Sequence, residues 1–315
     1  MRRGVVAAAL LIAVLAAVPA LTSRTAVVTW LFLVLLHAGI AQSWNLLAGF
    51  AGQINLGHAA FFGLGAIVTR TLWLGGTPVG WALLAGVSAA LAAGLVIGAP
   101  SLRLRGAYFA IGTLALAEIL RITTGNILPE VSALPVAQLA GYSLMPRYYL
   151  ALALAIAVTA TAWALAGSRF GLGLIALRED EEVAAGIGIP TFRHKLLALL
   201  VSSLFAGLAG GVFAYYHPSF YPAFAFNPLW TFDALLITFL GGVGTVWGPV
   251  VGAAFFVLVR EGLALRLTEL HLLIFGLLFV FVVIVFPGGL MEAASTLARR
   301  LGSPAKAKMP RIEQG

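Results

Sequence analysis

Residues 272–286 read LLIFGLLFVFVVIVF, an uncharged run broken by a single glycine. Similar stretches recur from residue 4 onward. A helix rising 1.5 Å per residue needs about 20 such residues to cross a hydrocarbon core ~30 Å thick. Strands that cross a membrane alternate apolar and polar side chains with a period of two, and these runs do not alternate. Charged residues make up 10% of the chain, against roughly 25% in soluble domains. The predicted fold class is therefore all-α: a polytopic transmembrane helical bundle of about ten spans, eight at the fewest. The expected spans are 4–21, 26–46, 56–74, 80–99, 107–123, 148–166, 196–215, 231–246, 249–265 and 270–286.

Lys and Arg concentrate on the cytoplasmic side of membrane proteins. With the N-terminus inside, thirteen of them fall in cytoplasmic segments and six on the opposite side. This orientation makes residues 167–195 the largest internal cytoplasmic loop and puts both termini in the cytoplasm. Arg2, Arg3 and the following apolar stretch up to Val18-Pro19-Ala20 also resemble a signal peptide. A retained first helix is the expectation, because the next span follows within a few residues. Residues 1–292 are read as one transmembrane domain, and 293–315 as a basic, flexible cytoplasmic tail. The net charge of +8 fits this positive-inside bias, and no nucleic-acid partner is expected. The absence of cysteine excludes disulfides and thiolate chemistry.

Segment 42–66, QSWNLLAGFAGQINLGHAAFFGLGA, places Gln42, Asn45, Gln53, Asn55 and His58 between apolar spans. Polar side chains at membrane depth face a bundle interior or a wet path, and irregular backbone needs shielding there. Two readings follow: a lining of a translocation path near a broken helix, or a cytoplasmic turn leading into an ordinarily packed helix. Glu118, inside the fifth span, is a path candidate by the same rule. Arg121 stands three residues on, at the spacing of a helical ion pair. Asp233 beside Trp230 reads as an interfacial anchor, and His37 and His271 as hydrogen-bonded structural residues. His58 has no second ligand at metal-binding spacing, so neither a metal nor a cofactor is expected.

Gly241, Gly242, Gly244 and Gly248 mark a tight structural turn between two spans. Loop 167–195 holds the run Glu179-Asp180-Glu181-Glu182, four of the chain's eleven acids. Asp180 suits a helix N-cap, acids suit the first turn, and Gly186 and Gly188 precede Pro190 as stop signals. The loop should thus carry short amphipathic helices, either docking on a partner or simply solvated. No GxxxxGK[ST] nucleotide loop is present, so ATP hydrolysis would belong to another chain.

NLLAGFAGQINLGHAAFFGLGA, LRLRGAYFAIGTLALAEI, SRFGLGLIALREDEEVAAGIGI and FLGGVGTVWGPVVGA, in this order, resemble the permease subunits of branched-chain amino-acid ABC importers. The likeness extends over roughly residues 40–290 and is greatest to the larger of the two paired permeases. It implies a non-enzymatic transporter subunit in the cell inner membrane, moving leucine, isoleucine, valine or related small polar solutes. The implied partners are a second permease, two cytoplasmic ABC ATPases and an extracytoplasmic substrate-binding protein. It also implies that Arg169, Arg178, Glu179, Asp180, Glu181, Glu182, Ala184, Ala185, Gly186 and Gly188 couple the chain to the ATPase. The run from Glu182 to Gly186 is only loosely similar to the importer loop signature, its glycine coming early. Asn55 departs from the serine usual before Leu-Gly-His. Within the family, urea or a short-chain amide is an alternative cargo. An ion-coupled secondary transporter is the rival class, separated by dependence on an ATPase. An intramembrane enzyme would need clustered acids, His pairs or an activated nucleophile, and the five histidines are too scattered.

Overall fold

The computed structural model describes residues 2–22, 24–128, 132–264, 276–277, 280, 284 and 288–293. Continuous apolar composition produces helix almost throughout: α1 (Arg2–Leu21), α2 (Thr25–Ala51), α3 (His58–Leu74), α4 (Val79–Ser101) and α5 (Ala107–Ile127). They are followed by α6 (Leu144–Ala166), α7 (Arg169–Glu179), α8 (Glu181–Gly186), α9 (Thr191–Tyr216), α10 (Leu229–Gly241) and α11 (Gly248–Ala264). In α4, Pro100 lacks an N–H for the bond to Val96, and the backbone there passes through a π-turn over Gly94–Gly98.

Six helices among the described residues are long and apolar enough to cross a membrane: α2, α4, α5, α6, α9 and Pro222–Gly241, which contains α10. Helices α3 and α11 have 17 residues each, and the apolar part of α1, Ala8–Leu21, is also short. The expected span 270–286 lies largely outside the described residues, as does 294–315 of the expected tail. The helical-bundle class holds; the count of about ten spans is not reached by these helices.

Helix α9 is the centre of the bundle, with 67% of its apolar window buried, whereas α5 is peripheral at 17%. Small residues let the backbones approach, the usual solution where lipid removes the hydrophobic drive between helices. A Cβ on Gly65 of α3 would run into the Gly207 carbonyl of α9, and one on Gly210 into that of Phe62. A Cβ on Gly86 of α4 would lie 2.6 Å from the Gly65 oxygen. Any larger side chain at these points would pry α3, α4 and α9 apart.

The bundle has two distinct ends. One carries the α2–α3 turn, helices α7 and α8, and the α10–α11 turn. The other carries a two-residue antiparallel ladder, Ser132–Ala133 with Ser219–Phe220, in the register Ser132↔Phe220. Helix α1 lies against α6, where the Tyr148 hydroxyl donates to the Leu15 carbonyl at 2.7 Å.

Candidate functional site

The C-terminal half of α2 is buried along its whole length, so its polar side chains can find partners only inside the protein. Asn45 does so by gripping the α10–α11 turn: Nδ2 donates to the Thr245 carbonyl at 2.9 Å, and Oδ1 accepts from the Gly244 N–H at 2.8 Å. The turn braces itself through Thr245, whose hydroxyl donates to the Gly242 carbonyl at 2.8 Å and accepts from the Gly248 N–H at 3.0 Å. Gly244 has φ 74°, a conformation that disfavours any Cβ. Such an atom would also sit 2.6 Å from Nη1 of Arg178.

Arg178 reaches this point from the far end of α7. Its Nη1 donates to the Gly49 carbonyl at 2.9 Å, near the C-terminus of α2, where carbonyls lack helical partners and a cation suits the dipole. Gly49 must be glycine, since a Cβ would collide with Asn45 Oδ1 and lie 2.7 Å from the Gly244 nitrogen. Residues 45–49, 178 and 244–245 therefore form one junction, although 129 and 199 positions separate the hydrogen-bonded partners.

The remaining polar side chains of 42–58 are buried or half-buried. Ser43 donates to the Ile40 carbonyl at 2.7 Å, and its hydroxyl lies 2.8 Å from Nε2 of His58. Ser202 donates to the Ser43 carbonyl at 2.8 Å, and Thr231 accepts from the Ala59 N–H at 2.8 Å. Trp44 donates to the Asn55 carbonyl at 2.8 Å, and Asn55 Oδ1 accepts from Gly57 N–H at 2.8 Å. Gln53 is half-buried, 3.5 Å from the Ala51 carbonyl. Both amide atoms of Gln42, Nδ2 of Asn55 and Nδ1 of His58 are buried and find no hydrogen-bond partner among the described residues. Asn55 borders a cavity of about 30 Å³ with Ser101 and Thr113, between α3, α4 and α5. That is room for roughly one water.

Glu118 stands apart. It is on the exposed side of α5, paired with Arg121 through bonds of 2.8 and 2.5 Å. The Asp233 side chain is 14% exposed and accepts from Arg260 at 2.7 Å. His37 donates from Nδ1 to the Leu33 carbonyl at 2.8 Å, with its other nitrogen 3.9 Å from Asp233. His271 lies outside the described residues. Among the described residues there is no group of three potential metal ligands.

Ser168 caps α7, accepting from the Gly171 N–H at 2.9 Å. Asp180 caps α8, accepting from the Glu182 and Val183 N–H groups at 2.8 and 3.0 Å. The other acids are paired within the chain. Glu179 meets Arg178 at 3.0 Å, Glu181 meets Lys195 at 2.5 Å, and Glu182 meets Arg105 at 3.2 Å. Lys195 is 3% exposed, whereas Arg105 and Glu182 are largely solvated. Ala184 points inward at 1% exposure; Arg169, Ala185, Gly186 and Gly188 are exposed. Sequence reasoning missed Ser43, Ser202, Thr231 and Thr245, because a hydroxyl in an apolar run carries no local sign of its distant partner. It also missed the pairings to Arg105 and Lys195, for which opposite charge was the available signal.

The family described as branched-chain amino acid transport system, permease component, matches residues 26–283. The chain is 31% identical over 297 residues to the high-affinity branched-chain amino acid transport system permease protein LivM of Escherichia coli (strain K12). That alignment covers 82% of this chain and 68% of the relative. Identity to the LivM protein of Salmonella typhimurium is 30% over 285 residues, covering 78% of this chain and 65% of the relative. A probable LivM permease of Methanocaldococcus jannaschii is 25% identical over 302 residues, covering 81% and 86%. The chain thus spans about two thirds of the length of the two bacterial relatives. No solved structure matches it.

Proposed function

The chain belongs to the family of branched-chain amino acid transport system permease components, and from that premise we propose that it is one permease subunit of an ATP-driven importer. Its cargo is leucine, isoleucine, valine or a related small polar solute, as the relatives' names suggest. The subunit spans the inner membrane several times, with residues 1–292 as the permease domain and 293–315 as its cytoplasmic tail. It works beside a second permease, and the path runs between the two chains. Two ATPase subunits act on the cytoplasmic end, which holds loop 167–195 and both termini, and a binding protein delivers cargo on the other side.

One observation carries the coupling step: Arg178 of α7 is hydrogen-bonded to Gly49 of α2 beside the Asn45–Gly244 grip. A displacement of α7 and α8 is transmitted through one guanidinium to the end of α2 and to the α10–α11 turn together. Helix α2 carries the path candidates Gln42 and Asn45 and leads into Gln53, Asn55 and His58, so its tilt moves these polar side chains together. The packed glycine contacts of α3, α4 and α9 make those helices follow as a body. Gly241, Gly242, Gly244 and Gly248 keep the turn tight enough for the grip to hold.

Uptake of labelled leucine tests this. Transport should persist when ion gradients are collapsed at constant ATP and stop when the ATPase subunit is omitted. Arg178→Met should leave the complex assembled and lower uptake by about tenfold, the loss of one charge-assisted hydrogen bond. Uptake that follows a sodium or proton gradient without the ATPase, or an Arg178→Met chain that transports normally, overturns the reading.

A further inference from the structure

We propose that the surface meeting the ATPase is an apolar knob ringed by arginines, and that the acidic run beside it serves as internal fastening. The proposal rests on the reading of loop 167–195 as the coupling element, and it names what that element presents. Val183 and Ile187 are 63% and 72% exposed. Val183 lies on the outer face of α8 and Ile187 is the residue that ends it, while Ala184 is turned inward at 1%. Leu172 in the first turn of α7 and Phe192 in the first turn of α9 are exposed as well, on the two helices packed against α8.

Charge separates the partner from the fasteners. Loop 167–195 holds four cations, Arg169, Arg178, Arg193 and Lys195, and the four acids Glu179 to Glu182, and Arg105, two residues after Arg103, joins it through Glu182. Asp180 is occupied as a cap, and the other three acids take Arg178, Lys195 and Arg105. Arg103, Arg169 and Arg193 remain exposed, with no carboxylate within bonding distance among the described residues. The fitting partner is therefore an apolar cleft rimmed by carboxylates. A lipid surface fits less well. A continuous anionic headgroup layer would face Glu179 and Glu182, whereas a protein cleft sets its acids only opposite the free arginines. Fastening by Lys195 and Arg105 also holds α8 in one orientation before contact, which lowers the cost of docking.

The chain's lack of cysteine permits a direct footprint. Inside-out vesicles carrying the importer, with and without its ATPase subunit, are treated with a membrane-impermeant maleimide on Val183→Cys, Ile187→Cys or Glu179→Cys chains. Positions 183 and 187 should react about tenfold more slowly only when the ATPase is present, as an interface core excludes solvent while its surroundings stay wet. Position 179 should change far less. A reciprocal Glu182→Arg with Arg105→Glu chain should recover the uptake that Glu182→Arg alone loses. Equal labelling of 183 and 187 in both vesicles, slow labelling even without the ATPase (burial in lipid), or a reciprocal chain as impaired as the single variant each overturns the proposal. Protection at 179 but not at 183 or 187 removes this surface while leaving the coupling loop itself intact. Protection nowhere in a transporting vesicle removes both.

Discussion

Two neighbouring amides on α2 illustrate opposite solutions to one problem. Asn45 has every hydrogen bond it needs from the α10–α11 turn, whereas Gln42, equally buried, has none among the described residues. An amide desolvated without partners costs about 1–3 kcal/mol, and replacing it by an apolar group of similar shape relieves that cost. Gln42→Met should therefore raise the thermal unfolding temperature of the purified protein in detergent, or leave it unchanged. If Gln42 meets cargo when the path opens, the same substitution lowers leucine uptake while stability holds. Normal uptake in a stabilised Gln42→Met chain would remove the residue from the path. Asn45→Leu should behave differently, because it leaves the Gly244 N–H and Thr245 carbonyl unpaired. A stability loss of about 1–3 kcal/mol is expected there, and an unfolding midpoint equal to that of the unaltered chain would contradict the grip.

Among the elements, α8 was legible in the sequence because everything that forms it is local. Asp180 stands one residue before the helix, acids fill the first turn, and Gly188 follows with φ 89°. The Glu118–Arg121 pair was legible for the same reason, being one helical turn apart. Arg178 on Gly49 was not, since nothing near either residue marks a partner 129 positions away. Nor was the bracing of the opposite end. There Arg147 donates to the Tyr215 carbonyl at 2.9 Å, Arg70 to that of His217 at 2.8 Å, and Tyr142 to that of Tyr216 at 2.9 Å. Burial, assisted by the Arg70 guanidinium, holds the His217 imidazole below its ordinary pKa. The folded chain thus favours the neutral form of His217, which takes up a proton more readily on unfolding. Stability linked to it is full above the unfolded value of about 6.5 and is lost as pH falls below it. The unfolding temperature of the unaltered protein should drop between about pH 7.5 and 5.5 by more than that of His217→Gln. Parallel pH profiles for the two would contradict this.

For the molecule as a whole, helical class and the order of the elements followed from hydropathy, while the outward faces could not, because apolar side chains suit lipid and protein contact alike. Helix α5 breaks that ambiguity. It is the least buried of the six long apolar helices, and near its middle the Glu118 and Arg121 side chains are 38% and 36% exposed. A lone Asp, Lys or Arg at the centre of a membrane helix costs roughly 2.5–3.5 kcal/mol. Pairing offsets part of that cost, but a pair turned to lipid would still be dearer than two leucines. If the proposed second permease covers α5, the pair fits a wet boundary between the two chains better than a lipid-facing surface. Replacing both residues together, Glu118→Leu with Arg121→Leu, distinguishes the two cases. Against lipid, the double variant should assemble at least as well as the unaltered chain and transport equally. Against the path, it should assemble and yet lose leucine uptake by about tenfold. Glu118→Gln alone, which leaves the Arg121 charge without its partner, should reduce the amount of inserted protein as well. We expect the second pattern, and unchanged uptake in the double variant would return α5 to the lipid side of the bundle.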